Sequence, residues 1–167
     1  MKIFSLLLVF TSFPAFGHEF FAIVDLKKIA AESLAGKSIE EQIKSINDRA
    51  KKDLLDLESK VKGMESNKKA DYDSRKIEDM QLIMYDMVRS KKYQIAEAYR
   101  KAVTTLDEET QKIIAKVCKE KGISVVVNAE AVVYAAVESM DITGEVIKEL
   151  NERLRSVSVE VKEPKRQ

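Results

Sequence analysis

The sequence predicts an α+β chain. A small β-barrel-like body, shared between chains, would carry a long antiparallel α-helical hairpin, a coiled-coil tentacle, projecting from each chain. Three observations predict it. The 167 residues include only 2 Pro and 5 Gly, and no proline falls between residues 18 and 163. Proline and glycine punctuate turns, so the elements must be few and long. Charged residues make up 34% of the chain and Trp is absent, as in long solvated helices. Two narrow apolar stripes of helical period fill the middle of the chain, while β-branched runs lie nearer its ends. This pattern excludes a β-sandwich, a barrel of tight hairpins, and a βαβ enzyme with Gly-rich phosphate loops.

Residues 1–17 read as a secretory signal peptide. Met1-Lys2 is a basic start, Ile3 to Phe13 an uncharged apolar run, and Ala15-Phe16-Gly17 a small-residue cleavage site before His18. The run is too short to span a bilayer, which takes ~20 residues. Cleavage removes one lysine and no acid, leaving 28 basic against 28 acidic residues. A nucleic-acid binder carries a basic excess, so no nucleic-acid partner is expected. The mature chain is expected to be exported and soluble.

Residues 18–37 and 122–155 form the expected body, residues 38–121 the hairpin with its tip at about 66–74, and residues 156–167 a frayed tail. Phe20 to Asp25 reads as a short buried strand, and Leu26 to Ala35 as a short helix stopped at Gly36. Ser38 is the expected N-cap of the next helix, with Glu40 and Glu41 suiting its positive end. Its stripe is Ile39, Ile43, Ile46, Ala50, Leu54, Leu57, Val61 and Met64, a heptad-like seam with one extra step of four. The second stripe runs Ile77, Met80, Met84, Met87/Val88, Ile95, Tyr99, Ala102, Leu106, Ile113, Val117, and Gly122 supplies the stop. That helix has about 48 residues and is ~70 Å long, whereas a compact 150-residue domain is roughly 40 Å across. Its first half must therefore project.

After Gly122 the period changes. Ile123 to Asn128 is expected to be a strand, Ala129-Glu130 a turn, and Ala131 to Ala136 a second strand. Asp141-Ile142-Thr143 supplies capping oxygens for a last helix carrying Val146, Ile147, Leu150 and Leu154. A body this small buries too little surface alone, and its strands leave open edges. An oligomer is expected, with Phe21, Ile23, Val125, Val126, Val127, Val132, Val133 and Tyr134 at its interface.

No acid–base pair or nucleophile with a positioned base is evident, so no enzyme activity, metal or cofactor is expected. Cys118 reads as a buried, inert thiol, because the one histidine, His18, lies at the mature start. Met64, Met80, Met84 and Met87 suit either the seam between the helices or a promiscuous surface. Tyr72, Tyr85 and Tyr93 add amphipathic area, and Tyr85 and Tyr93 lie off the stripe. These seven are the candidate residues of a promiscuous binding surface on the hairpin. Lys68, Lys69, Arg75 and Lys76 form a local basic patch, and Gly63 is a candidate hinge in the first long helix.

Phe21-Ala-Ile-Val-Asp25, the charged hairpin, the block Gly122-Ile-Ser-Val-Val-Val-Asn-Ala-Glu-Ala-Val-Val-Tyr134 and Asp141-Ile-Thr143 together resemble the Skp (OmpH) family of periplasmic chaperones. The resemblance covers the mature chain in order and is most specific in the C-terminal block. It implies a homotrimer whose tentacles enclose a cavity. Unfolded outer-membrane β-barrel proteins would be held there without ATP, against aggregation. Family members are basic, so lipopolysaccharide or anionic-lipid contact sits uneasily with this neutral mature chain. The competing reading is a structural or adaptor coiled coil of the envelope that binds one folded partner.

Overall fold

The computed structural model describes residues 20–66, 71–134 and 141–162. The expected signal peptide with Gly17 and His18, and Lys68 and Lys69 at the expected tip, lie outside the described residues, as do the side chains of Met64 and Tyr72. The elements in order are β1 (Phe20–Val24), α1 (Leu26–Glu32), α2 (Leu34–Ser66), α3 (Asp71–Lys121), β2 (Ile123–Asn128) and α4 (Thr143–Arg153), with a 3-10 turn at Ala129–Ala131.

β1 and β2 pair in parallel, with Phe21 opposite Val125, Ala22 opposite Val126 and Ile23 opposite Val127. Parallel neighbours need a crossover connection, and here the helical hairpin is that connection. Ile142 N–H donates to the Ile23 carbonyl (3.0 Å), and residue 141 adds a single parallel bridge to β1. Among the described residues β2 has a partner on one side only.

The start of the hairpin differs from expectation. Gly36 does not stop α1, and Ser38 does not cap α2. The break is at Ser33, which is fully buried and serves both helices. Its N–H donates to the Ile29 carbonyl and closes α1, while its Oγ accepts from Gly36 N–H (3.1 Å) and its carbonyl accepts from Lys37 N–H. That is the bonding of an N-cap residue to the third residue of its helix. Gly36 is glycine for packing: a Cβ there would collide with the Ala30 carbonyl. Leu34 N–H donates to Asn151 Oδ1 (2.7 Å), tying the same corner to α4. At the far end Gly122 takes φ +67°, so α3 ends in the left-handed conformation glycine permits.

The core sits at the root of the hairpin. Ala22, Val24 and Ile29 meet Ala35 and Ile39 of α2, Ala98 to Val117 of α3, and Val146 and Leu150 of α4. α3 has 51 residues and is about 76 Å long at 1.5 Å per residue, and its N-terminal half lies outside this cluster. Along the arm the two stripes face each other, from Ile43 and Ile46 out to Val61 and Ile77, both 5% exposed. In α3 the buried position is Ala98, whereas Tyr99 is largely exposed. Ala98 and Ala102 are small, which lets the helices approach closely at the root.

α4 caps the base. Thr143 Oγ1 accepts from Asp25 N–H (2.9 Å), and Asp141 Oδ1 accepts from Thr143 N–H (2.8 Å). Ion pairs Lys116–Glu149 (2.7 Å), Lys121–Glu145 (2.9 Å) and Arg153–Glu109 (3.4 Å) join α4 to α3. Lys112's hydrogen bond and charge hold the Glu109 carboxyl below its usual range, and Glu149 raises Lys116 above its own. The Glu109 contribution is present above the ordinary carboxylate range and fades as pH falls through its lowered value. The basic partners are exposed and the glutamates only half-buried, so the pairs are weak and screened by salt.

Two further expectations are corrected. Residues 131–134 join no ladder, although Val132 is extended (φ −98°, ψ 114°), and residues 135–136 lie outside the described residues. A strand needs a neighbour to bond with, and the single chain offers this one none. Residues 156–162, expected to fray, lie along α2 with Val157 and Val159 buried.

Gly36→Ala tests the corner. It should cost about 1–3 kcal/mol and lower the urea midpoint, whereas Gly63→Ala, where a Cβ meets open space, should leave the midpoint unchanged or raise it.

Candidate functional site

Two surfaces carry unpartnered apolar side chains. The first is the outer face of the sheet. Side chains alternate across a strand, so Ala22 and Val24 of β1 point inward and are buried, while Phe21 is 49% exposed. The register places Phe21 beside Val125 (41% exposed) and Ile23 beside Val127. Phe21, Ile23, Val125 and Val127 thus make one apolar outer face. Val126 lies on the inner face against the core. Val132 is half-buried, and Val133 and Tyr134 are almost wholly exposed just beyond β2. At the rim of the sheet Lys27 pairs with Glu130, whose hydrogen bond and charge raise the lysine's pKa.

The second surface is the arm. Met80, Met84 and Met87 are half-buried along the seam facing α2. Tyr85 and Tyr93 are 67% and 68% exposed. At 3.6 residues per turn, Leu82, Tyr85 and Tyr93 fall on one side of α3, roughly 180° from seam residues Met80 and Lys91. Leu82 and Ile83 are each more than 60% exposed, and Leu55 of α2 is also exposed. The seam reading missed Leu82 and Ile83. The signal was present, since both are large apolar residues off the stripe. Arg75 and Lys76 are exposed near the distal end of α3. Gly63 is exposed inside α2.

Among the described residues no group of three or more His, Cys, Asp or Glu is placed to hold a metal, and no helix is long and apolar enough to cross a membrane. Cys118 is half-buried beside the core, and desolvation raises its thiol pKa, which keeps it protonated. What the two surfaces can do is bind apolar groups. One is flat and short, on a sheet. The other is long and discontinuous, with flexible and aromatic side chains spaced among charges.

A family model described as Outer membrane protein (OmpH-like) matches residues 21–150. Among solved structures, the chain is similar to one described as an outer membrane chaperone (OmpH-like) from Caulobacter crescentus CB15. The TM-score is 0.80 at 18% identity, covering 89% of this chain and 93% of that one. At that identity the likeness speaks to the fold. No curated protein matches the sequence.

The seam and the outward face of the arm should respond oppositely to truncation. Ile77→Ala removes a side chain that is 5% exposed and should cost about 2–4 kcal/mol in urea unfolding. Leu82→Ser with Tyr85→Ser should stay within about 0.5 kcal/mol of the parent per site.

Proposed function

Because the chain belongs to the OmpH-like outer membrane protein family, we propose that it is an ATP-independent holdase chaperone of the periplasm. It would bind unfolded outer-membrane β-barrel proteins between helical arms and keep them from aggregating in transit. The observation that carries this reading is the outward row of Leu82, Tyr85 and Tyr93 on an arm that extends past the core. A folded partner would be matched by a contiguous, shape-complementary patch. Scattered aromatic and aliphatic groups set among charges instead suit weak, many-sited contact with a chain that has no fixed shape.

A cavity needs more than one arm. The apolar outer face of Phe21, Ile23, Val125 and Val127, with the unpaired side of β2 and the unladdered residues 132–134, supports assembly of bodies through shared strands. On the family resemblance, the number of copies we propose is three. Residues 131–134 would then become strands by pairing with a neighbouring copy. The balanced charge of the mature chain favours apolar capture over electrostatic capture, and gives anionic lipid no strong claim on the arm.

Diluting a urea-unfolded β-barrel protein into buffer and following light scattering tests the function. Stoichiometric mature trimer should suppress aggregation several-fold without ATP, and Leu82→Ser with Tyr85→Ser and Tyr93→Ser should lose most of that effect. Unchanged scattering, with saturable binding to one native envelope protein, would support the adaptor reading instead. Analytical ultracentrifugation tests the assembly: Val125→Asp should convert the trimer to monomers, and an intact trimer would count against the sheet face.

A further inference from the structure

Past Arg153 the chain turns back along the hairpin root. Residues 157–162 alternate without exception: Val157 (7% exposed), Val159 (8%) and Val161 face the helices, while Ser158, Glu160 and Lys162 face solvent. That is the side-chain period of a β-strand, yet no strand lies beside it. The side-chain amide of Gln42 takes the neighbour's place. Its Nε2 donates to the Val157 carbonyl (2.8 Å) and its Oε1 accepts from Val159 N–H (3.0 Å). A carbonyl at one residue and an N–H two residues on are the pair that one residue of a parallel strand engages. Nε2 also lies 3.0 Å from Ser38 Oγ and 3.1 Å from the Ser38 carbonyl, which aims the amide.

The amide's contacts to the strap are both to backbone, and the helices take only alternate side chains. A groove of about 420 Å³ continues past the strap between α2 and α3, lined by Ile46, Arg49, Ala50, Lys91 and Ile95, with Val159 and Val161 at one end. The strap therefore fills part of a longer channel. Nothing in this arrangement requires that the extended chain be this one.

We propose that the groove at the hairpin root is a reader of extended backbone, selecting a polypeptide with an apolar side chain at every second residue. The chain's own residues 156–162 occupy it until such a segment of a client displaces them. Main-chain hydrogen bonds supply affinity and alternate pockets supply selectivity, as in strand addition to a sheet edge. Membrane β-barrel strands alternate apolar and polar residues, so an unfolded barrel offers this pattern repeatedly. That the displacing segment is a client rests on the chaperone reading; the preference for alternating extended chain does not.

Two arms test it. In the first, a labelled peptide copying residues 155–162 is titrated by fluorescence anisotropy into the full-length mature protein. Val157→Ser with Val159→Ser, which loosens the strap, should bind the peptide at least tenfold more tightly than the parent does. Adding Gln42→Ala should remove that gain, and a peptide of the same composition with its valines adjacent should not bind. Equal binding by all three proteins overturns the proposal. In the second arm the parent protein is used unaltered. Hydrogen exchange at the Val159 amide should speed at least tenfold when a urea-unfolded β-barrel client is bound, with capture verified by light scattering. A strap equally protected in the client complex overturns the displacement. If scattering shows no capture, the chaperone reading fails while the peptide arm still decides the groove.

Discussion

The structure depends on one constraint: α3 is longer than anything the rest of the chain can cover. At 51 residues it outruns the body it belongs to, and only the stretch from about Ala98 onward reaches the core. The remainder has one neighbour, α2, and so can bury only one stripe. Every outward side chain on the arm is left to solvent or to a partner. The body must then hold a lever from one end. It does so by burying small residues, Ala98 and Ala102, at the root of the hairpin, and by tying the chain ends together there. β1 pairs with β2, Thr143 bonds Asp25, and Asn151 bonds Leu34. These ties join residues more than a hundred positions apart.

Much of this was legible in the sequence because it rests on local periodicity. The α2 stripe from Ile39 to Val61 needed no tertiary knowledge, nor did the stop at Gly122 or the β-branched run after it. What was not legible depends on distant partners. Gly36 looks like a helix stop because stopping and close packing call for the same residue, and only the Ala30 carbonyl distinguishes them. Tyr99 looked like a seam residue because size is a good guide to burial in a globule. On a two-helix seam it is a poor one, and Ala98 takes the place. The Val-Ser-Val-Glu-Val alternation of the tail was visible. Its partner is a side-chain amide at residue 42, which no local pattern announces.

The two apolar surfaces differ in kind, and the fold explains why. The sheet face is rigid, small and set on the most tied part of the chain, which suits permanent assembly. The arm face is long and broken by charge, on the least tied part, which suits transient holding. Candidate site residues split along the same line. Tyr85 and Tyr93 lie outward on the arm, whereas Met80, Met84 and Met87 are half-buried in the seam and present only part of their surface. The groove at the root belongs to neither surface: Gln42 bonds the backbone of residues 157 and 159, their valines face the helices, and the chain's own tail already lies there.

The central claim is that α3 is anchored at one end and open along the other. Hydrogen exchange of the free protein, resolved along α3, tests it most directly. The account predicts the slowest exchange from Ala98 to Val117 and progressively faster exchange from Ile95 back to Ile77. Protection that is uniform along the helix, or greatest in its N-terminal half, would contradict it.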